Sequence, residues 1–562
     1  MASGARKQIK NILLIITGLL ISNCANQLPP GGGEIDKIPP KITEVYPPNG
    51  TINFKDDYFE LEFSEYVERR SLQDAIFISP AIQGALDLDW SGKSVRVNFP
   101  SKLKINTTYV ITIGTDVVDY NNKNRMAESF NFTFSTGNEI DKRVISGKVY
   151  NEKPAGILIY AYKLNADTAD PFLHKPGYIS QTGNNGSFKL LGLAEGIYRV
   201  FAVKDEYRDL LFQPEQDQIG MPYTDISFSK DDTLFSPLNF FLTTIDTAKP
   251  RFISASMTDR LHILINYTEE FDTSIIKADN FVIFDSTAGK KSIPVYAFKG
   301  NTKKTEMVLV DTSVFPADHF VYLFADSIKD ISGNVFHNDE TQINLNEKPD
   351  TVKLNIYNAI PPNNARDIDF IGSQFMFFLN DAFNTSLIKQ NVVFQDTLGR
   401  GIPFRINILD DASFKVIPEK KLEPAKDYLI KIDLSKFKDA AGNVADTSFI
   451  YRFRTISGLD FTGISGQINN VDLNKNPILV LSGIDNSKTI YNKNLSGKEK
   501  FNFDRIVPGK YLLWCYLDED SSKNYSYGYP FPFKPAEKFS FYSDTLNLRA
   551  RWVQTDINFD FK

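Results

Sequence analysis

The chain repeats itself at intervals of about 100 residues, which restricts it to a string of small, similar modules. Three segments share one ending: Asn106 to Asn122, Ala317 to Asn334 and Ala425 to Asn443. Each opens on an aromatic (Tyr109, Phe320, Tyr428), alternates as a strand does, and closes on Asp-x-x-Gly-Asn or a variant at Asp119, Asp330 or Asp439. Glycine and asparagine accept the positive φ of a tight turn, and the aspartate caps its own backbone. Two copies continue into matching strands, Phe130 to Thr136 and Phe449 to Thr455, and two begin alike, at Tyr46-Pro-Pro-Asn-Gly50 and Ile360-Pro-Pro-Asn-Asn364. The first copy departs at the turn, with Asn122-Lys123 where Gly-Asn is expected.

Two other segments match each other. Val144-Ile-Ser-Gly147 pairs with Gly463-Ile-Ser-Gly466, and the run from Phe188 through Gly196-Ile-Tyr198 to Asp205 pairs with Phe501 through Gly509-Lys-Tyr511 to Asp518. Phe (45) and Tyr (25) far outnumber Trp (3), as half-buried strands require. The expected class is all-β, a multidomain tandem of sandwiches.

The first pattern resembles the bacterial Ig-like domain family first recognised in S-layer proteins, a seven-stranded sandwich. It covers 39–137 and 350–457 well, and 249–346 more weakly because the Pro-Pro-Asn opening is missing there. The second pattern resembles prealbumin-like domains of the carboxypeptidase-regulatory kind, at 143–247 and 461–562. Some relatives carry a Lys–Asn isopeptide bond from the first strand. Lys148 could supply the amine, but Gln467 holds the matching place, so Lys148 reads as an ordinary strand residue. The resulting order is Ig-like, regulatory-like, Ig-like, Ig-like, regulatory-like.

The N-terminus reads as a leader. Lys7 and Lys10 precede a short apolar run, Ile12 to Ile21, too short to span a bilayer. Leu20-Ile21-Ser22-Asn23-Cys24 resembles a bacterial lipobox, which makes 1–23 a signal peptide and Cys24 the lipidated residue. Residues 24–38, rich in glycine and proline, serve as a flexible tether. The resemblance implies a Bacteroidota-type lipoprotein of the outer membrane, anchored and not spanning. The choice of surface or periplasmic face stays open.

Chemistry is sparse. The four histidines (His174, His262, His319, His337) share no metal-ligand spacing and accompany no nucleophile motif, so no catalytic residue is assigned. A net charge of −6 without a basic stripe argues against nucleic acid. Cys515, in an apolar run, reads as a buried small hydrophobe. Alternating oxygen side chains at Asp518, Asp520, Ser522 and Asn524 could wrap calcium, the one cofactor considered; a plain polar loop is the competing reading. Tyr527, Tyr529, Phe531 and Phe533, held by prolines, could contact a protein partner or cover the last sandwich. Asp-Ser/Thr followed by a small or aliphatic residue places hydroxyls at Thr168, Thr233, Thr247, Ser286, Ser327, Thr351, Thr397 and Thr545. These look like the O-glycosylation sequon of Bacteroidota, though aspartate-capped turns explain some of them. The function expected is a non-enzymatic scaffold or protein-binding module with a partner in the outer membrane. The alternatives are an accessory subunit of an outer-membrane assembly or export complex, and a carbohydrate-binding surface protein.

Overall fold

A computed structural model describes residues 36–164, 169–273, 277–485, 489–495 and 497–562. The expectations for Cys24 and Thr168 lie outside the described residues. The chain forms two compact units. One comprises Met1–Asp167, Pro176–Val200 and Ile226–Leu238; the other comprises Thr168–Lys175, Phe201–Asp225 and Asn239–Lys562. Among the described residues the fold is nearly all β, with one short α-helix at Arg69–Gln73.

In the first unit, strands Ile42–Tyr46, Tyr58–Phe63, Ser94–Asn98 and Asp87–Ser91 make one sheet. Strands Ile76–Ser79, Thr108–Ile113 and Phe130–Ser135 make the facing one. Phe59, Leu61, Phe63, Val95 and Val97 from the first sheet meet Tyr109, Ile111, Phe132 and Phe134 from the second in one core. The alternation of these residues is what buries one face of each strand. The Pro-Pro-Asn-Gly opening lets the chain leave the first sheet: Thr51 then bridges Phe134 in parallel on the second.

The second unit repeats this plan at Ile356–Thr455, where Ile356–Ile360 pairs with one sheet and Ala365–Ile368 with the other, parallel to Ser448–Thr455. The copy at 249–346, which lacks the Pro-Pro break, behaves differently. Its first strand, Phe252–Met257, pairs antiparallel with His262–Tyr267 and parallel with Asp339–Asn344, joining eight strands into one continuous sheet. That sheet closes on a single core including Ile263, Ile265, Ile283 and Leu323. The opening aromatics also differ. Tyr109 and Tyr428 are buried, and their hydroxyls accept from Lys104 N and Glu423 N at 2.9 Å. Phe320 is 58% exposed, because the inward alternation here falls on Val321, Leu323 and Ala325.

The matching segments at 143–247 and 461–562 share two backbone constraints. A Cβ at Gly147 would lie 1.7 Å from Leu238 O, and one at Gly466 would lie 2.0 Å from Ile557 O. The Ile-Ser-Gly motif therefore marks a close approach of neighbouring strands that no side chain fits. The Gly-x-Tyr motif places Tyr198 and Tyr511 in the core, with hydroxyls donating to Ala194 O at 2.9 Å and Val507 O at 2.6 Å. Lys148 is half-buried, its Nζ 5.1 Å from the centre of the Tyr150 ring. Cys515 is a buried free thiol whose pKa burial drives upward.

Candidate functional site

The closing turns of the three repeats, at Asp119, Asp330 and Asp439, share one clasp. In each, the turn aspartate accepts from the backbone of the turn asparagine: Asn124 N to Asp119 Oδ2 (3.0 Å), Asn334 N to Asp330 Oδ1 (2.7 Å) and Asn443 N to Asp439 Oδ1 (2.7 Å). The asparagine side chain then reaches the segment leading into the module. Asn124 Nδ2 donates to Asp36 O at 3.0 Å, Asn334 Nδ2 to Asp246 O at 3.2 Å and Asn443 Nδ2 to Asp350 Oδ2 at 3.0 Å. The first turn is one residue longer than its sequence alignment implied. Lys123 takes the positive φ (60°) that Gly333 (96°) and Gly442 (87°) take elsewhere, and Asn124 is the equivalent asparagine.

Within the second unit, modules are joined by side chains of their own. His262 sits between two carboxylates, with Nδ1 2.9 Å from both oxygens of Asp259 and Nε2 2.8 Å from Asp381 Oδ1 across the module boundary. Burial opposes its charge, but hydrogen bonds to Asp259 and Asp381 and their negative charges win, and its pKa is raised to about 10. The imidazole is thus a cation held by two anions and has no free nitrogen to act as a base. Beside it Leu261, Phe298, Val310, Ala382 and Ala412 form a small apolar cluster. A cleft of about 490 Å³ opens there, lined by His262, Asp259, Lys299, Glu306, Asp350 and Asp381 among others.

Two further junctions lie in the same unit. Arg505 stands between the rings of Phe370 (4.1 Å) and Phe461 (4.3 Å) and pairs with Asp369. Phe241 inserts among Trp514, Tyr525, Phe539 and Phe541, stacked on Phe539 at 4.2 Å. In the first unit, Gln181 makes the equivalent link. Its Oε1 accepts from Thr115 N at 2.7 Å, and its Nε2 donates to Asp116 Oδ2 (3.0 Å) and Gly156 O (2.9 Å).

The residues singled out from sequence fall as follows. Asp518 and Asp520 do come together, but with Glu537 as third member. Ser522 and Asn524 bond each other: Ser522 Oγ donates to Asn524 O at 2.8 Å, and Asn524 Nδ2 to Ser522 O at 3.3 Å. The loop closes on itself, with Ser522 N and Ser526 Oγ also donating to Asp520. Burial pushes the Glu537 carboxyl up to about 7, while hydrogen bonds from Ser526 and Ser522 hold Asp520 down at about 2. In the aromatic segment Phe533 packs on Phe201 (6.3 Å between ring centres) and Tyr529 is half-buried. Tyr527 and Phe531 remain 42% and 43% exposed. Thr233, Thr247, Ser286, Ser327, Thr351, Thr397 and Thr545 are all exposed. His319 pairs with Asp285 and His337 with Asp326. Sequence reasoning missed His262, because both its partners are aspartates and one lies on another module.

Residues 36–136 and 350–455 match the family model of the bacterial Ig-like domain. These two segments are bacterial Ig-like domains within a multidomain β-sandwich chain. No curated protein matches. Among solved structures, the chain is similar to the N-terminal part of the bacterial S-layer protein SbsC, at 12% identity over 37% of this chain and 44% of that one (TM-score 0.17). It is also similar to domains 1–6 of SbsC, at 10% identity over 85% and 64% (TM-score 0.14). A third is BcpA, the major pilin subunit of Bacillus cereus, at 9% over 75% and 99% (TM-score 0.13). The chain spans less than two thirds of the length of either S-layer chain.

Proposed function

We propose that this chain is a non-enzymatic scaffold of the bacterial cell envelope, held at the outer membrane by lipid on Cys24. The observation that carries this reading is how side chains are used at the module junctions. His262 and Arg505 are spent joining one module to the next, Phe241 is packed among the rings of the last segment, and the most enclosed histidine is locked as a cation between two carboxylates. Side chains arranged this way hold modules in register and leave no poised nucleophile or base. The leader, the lipobox and the tether supply the anchor. Exposed Tyr527 and Phe531 favour a more specific version, an accessory subunit contacting an outer-membrane protein through this edge. The exposed Asp-Ser/Thr hydroxyls are available for O-glycosylation.

Membrane fractionation of a Cys24→Ser variant tests the anchor, and release into the soluble fraction is expected. Retention in the membrane would refute lipid anchoring. Co-purification of the wild-type chain from detergent-solubilised membranes tests the subunit version: a stoichiometric partner lost on Phe531→Ser supports it, and a solitary chain refutes it.

A further inference from the structure

One sheet face is covered in the Ig-like domain at 36–136 and open in the one at 350–455. In the first, strand Thr108–Ile113 is buried on both sides. Tyr109 and Ile111 enter the domain's own core, and Thr108, Val110 and Thr112, which point the other way, are buried too. A Cβ at Gly192 would lie 2.4 Å from Val110 Cγ2, so the segment at 143–247 lies against this outer face. The second domain repeats the strand as Asp427–Asp433. The matching outward positions are Asp427, Leu429 and Lys431, of which Leu429 is half-buried and the other two are exposed.

The open face carries three arginines. Strand Ala365–Ile368 runs parallel to Ser448–Thr455, with Ala365 opposite Phe453. Phe453 is in the core and Ala365 packs against it, so the next residue, Arg366, turns outward beside Arg452 and Arg454. Arg454 pairs with Asp427 on the neighbouring strand, and Arg452 lies opposite Leu429. These side chains line a cleft of about 300 Å³ that crosses the sheet from Arg366 on one edge strand to Thr397 beside the other. That volume is at the lower end of the range for small-molecule pockets.

The fold does not require these arginines. Both domains hold the strand in the same way: Thr133 N donates to Asn49 Oδ1 at 2.9 Å, and Arg452 N donates to Asn363 Oδ1 at 2.8 Å. At the positions of Arg366, Arg452 and Arg454, however, the first domain has Ile52, Thr133 and Ser135. Among the described residues, the guanidinium groups of Arg366 and Arg452 make no hydrogen bond or ion pair, and Asp427 is the one acid that lines the cleft. One anion against three cations leaves two positive charges uncompensated.

We propose that this cleft binds a sugar phosphate, with the phosphate held by Arg366, Arg452 and Arg454. A phosphate monoester carries about −1.5 to −2 charge at pH 7, which matches the surplus; a single carboxylate would leave one arginine unanswered. The planar guanidinium fork suits paired phosphate oxygens. The sugar then lies over Leu429, whose apolar side chain meets the C–H face of the ring, and its hydroxyls run toward Thr397 at the far end.

The test is calorimetric titration of the full chain with glucose 6-phosphate at low salt. One binding event is expected, with a Kd of about 0.1–1 mM, as an ordinary ligand efficiency gives for a ligand of this size. Arg366→Gln and Arg452→Gln should each weaken it at least tenfold. Arg405→Gln, an exposed arginine on the opposite sheet, should not. Both cleft variants should melt with the parent, since neither guanidinium holds a contact, which separates lost binding from lost folding. Glucose and inorganic phosphate should each bind at least tenfold more weakly than the ester. A phosphate borne on a lipid is the other source of the same chemistry, so phosphatidate vesicles are offered to the Cys24→Ser chain and should not capture it. Capture that Arg452→Gln abolishes, without heat from the soluble ester, would overturn the sugar assignment. Absence of any heat from the ester would overturn the proposal, and so would heat that both cleft variants retain.

Discussion

Replacing His262 with alanine should loosen the junction of the segments at 249–346 and 350–457 by several kcal/mol, in a pH-dependent way. The imidazolium lies within 2.9 Å of both Asp259 and Asp381, and Asp381 is only 4% exposed. Removing it leaves two carboxylates, with Asp350 close by, facing one another without a cation. Breaking a buried pair in this way costs about 3–5 kcal/mol. The raised pKa leads to a similar figure. Moving from 6.5 unfolded to about 10 folded corresponds to about 4–5 kcal/mol at 1.36 kcal/mol per pH unit. Because the folded pKa is the higher one, this stability is complete below pH 6.5 and drains away as pH rises toward 10. The Asp259 carboxyl shifts the opposite way: burial opposes its charge, yet hydrogen bonds from His262 and the local backbone leave its pKa below the usual range. Its contribution therefore fails only in acid, leaving a plateau between about pH 4 and 6.5. Denaturant unfolding of the full chain at pH 6 to 10, followed by hydrogen exchange in 255–265 and 375–383, isolates the transition of these modules. The parent should lose about 1 kcal/mol per pH unit above 6.5, and His262→Ala should be flat there and already weakened at pH 6. A variant with the parent's slope, or one weakened by less than about 1 kcal/mol, would show that the pair does not hold the junction. Replacing His262 and Asp381 together with leucine should recover part of the loss, since it removes one of the two unpaired charges while Asp259 keeps its backbone donors.

Other perturbations reach the remaining contacts. Gln181→Ala removes the partner of the buried Thr115 N–H and should lower the stability of the first unit by about 1–3 kcal/mol in chemical denaturation. Phe241→Ala should cost about 2–4 kcal/mol and red-shift the fluorescence of Trp514, whose ring lies 5.4 Å away; an unchanged spectrum would mean the aromatic cluster closes without it. Gly466→Ala sets a methyl against Ile557 O and should lower the melting temperature of the last sandwich, whereas Gln467→Ala, exposed one residue on, should not.

Much of the architecture was legible because strands alternate and turns carry their own chemistry. The Asp-x-x-Gly-Asn endings marked three modules, and Pro-Pro-Asn marked where the chain changes sheets in two of them. The missing Pro-Pro in the copy at 249–346 showed only as a weaker resemblance, although its consequence is physical: an unbroken strand pairs on both edges and fuses two sheets. The aromatic segment after Tyr525 was legible as rigid rings, but their division between packing and exposure was not.

By itself, the sequence determined the β class, the repeat and the turn positions, because each depends on residues close together along the chain. The tertiary structure alone decided where the charges meet. Asp381 lies 119 residues beyond His262, and Asp350 and Glu537 join their clusters from strands and linkers that no spacing rule connects. A period of two tells which way a side chain points, but not which module stands opposite. The meeting of His262 with Asp381, and of Phe241 with Phe539, therefore appears only when whole sandwiches have packed.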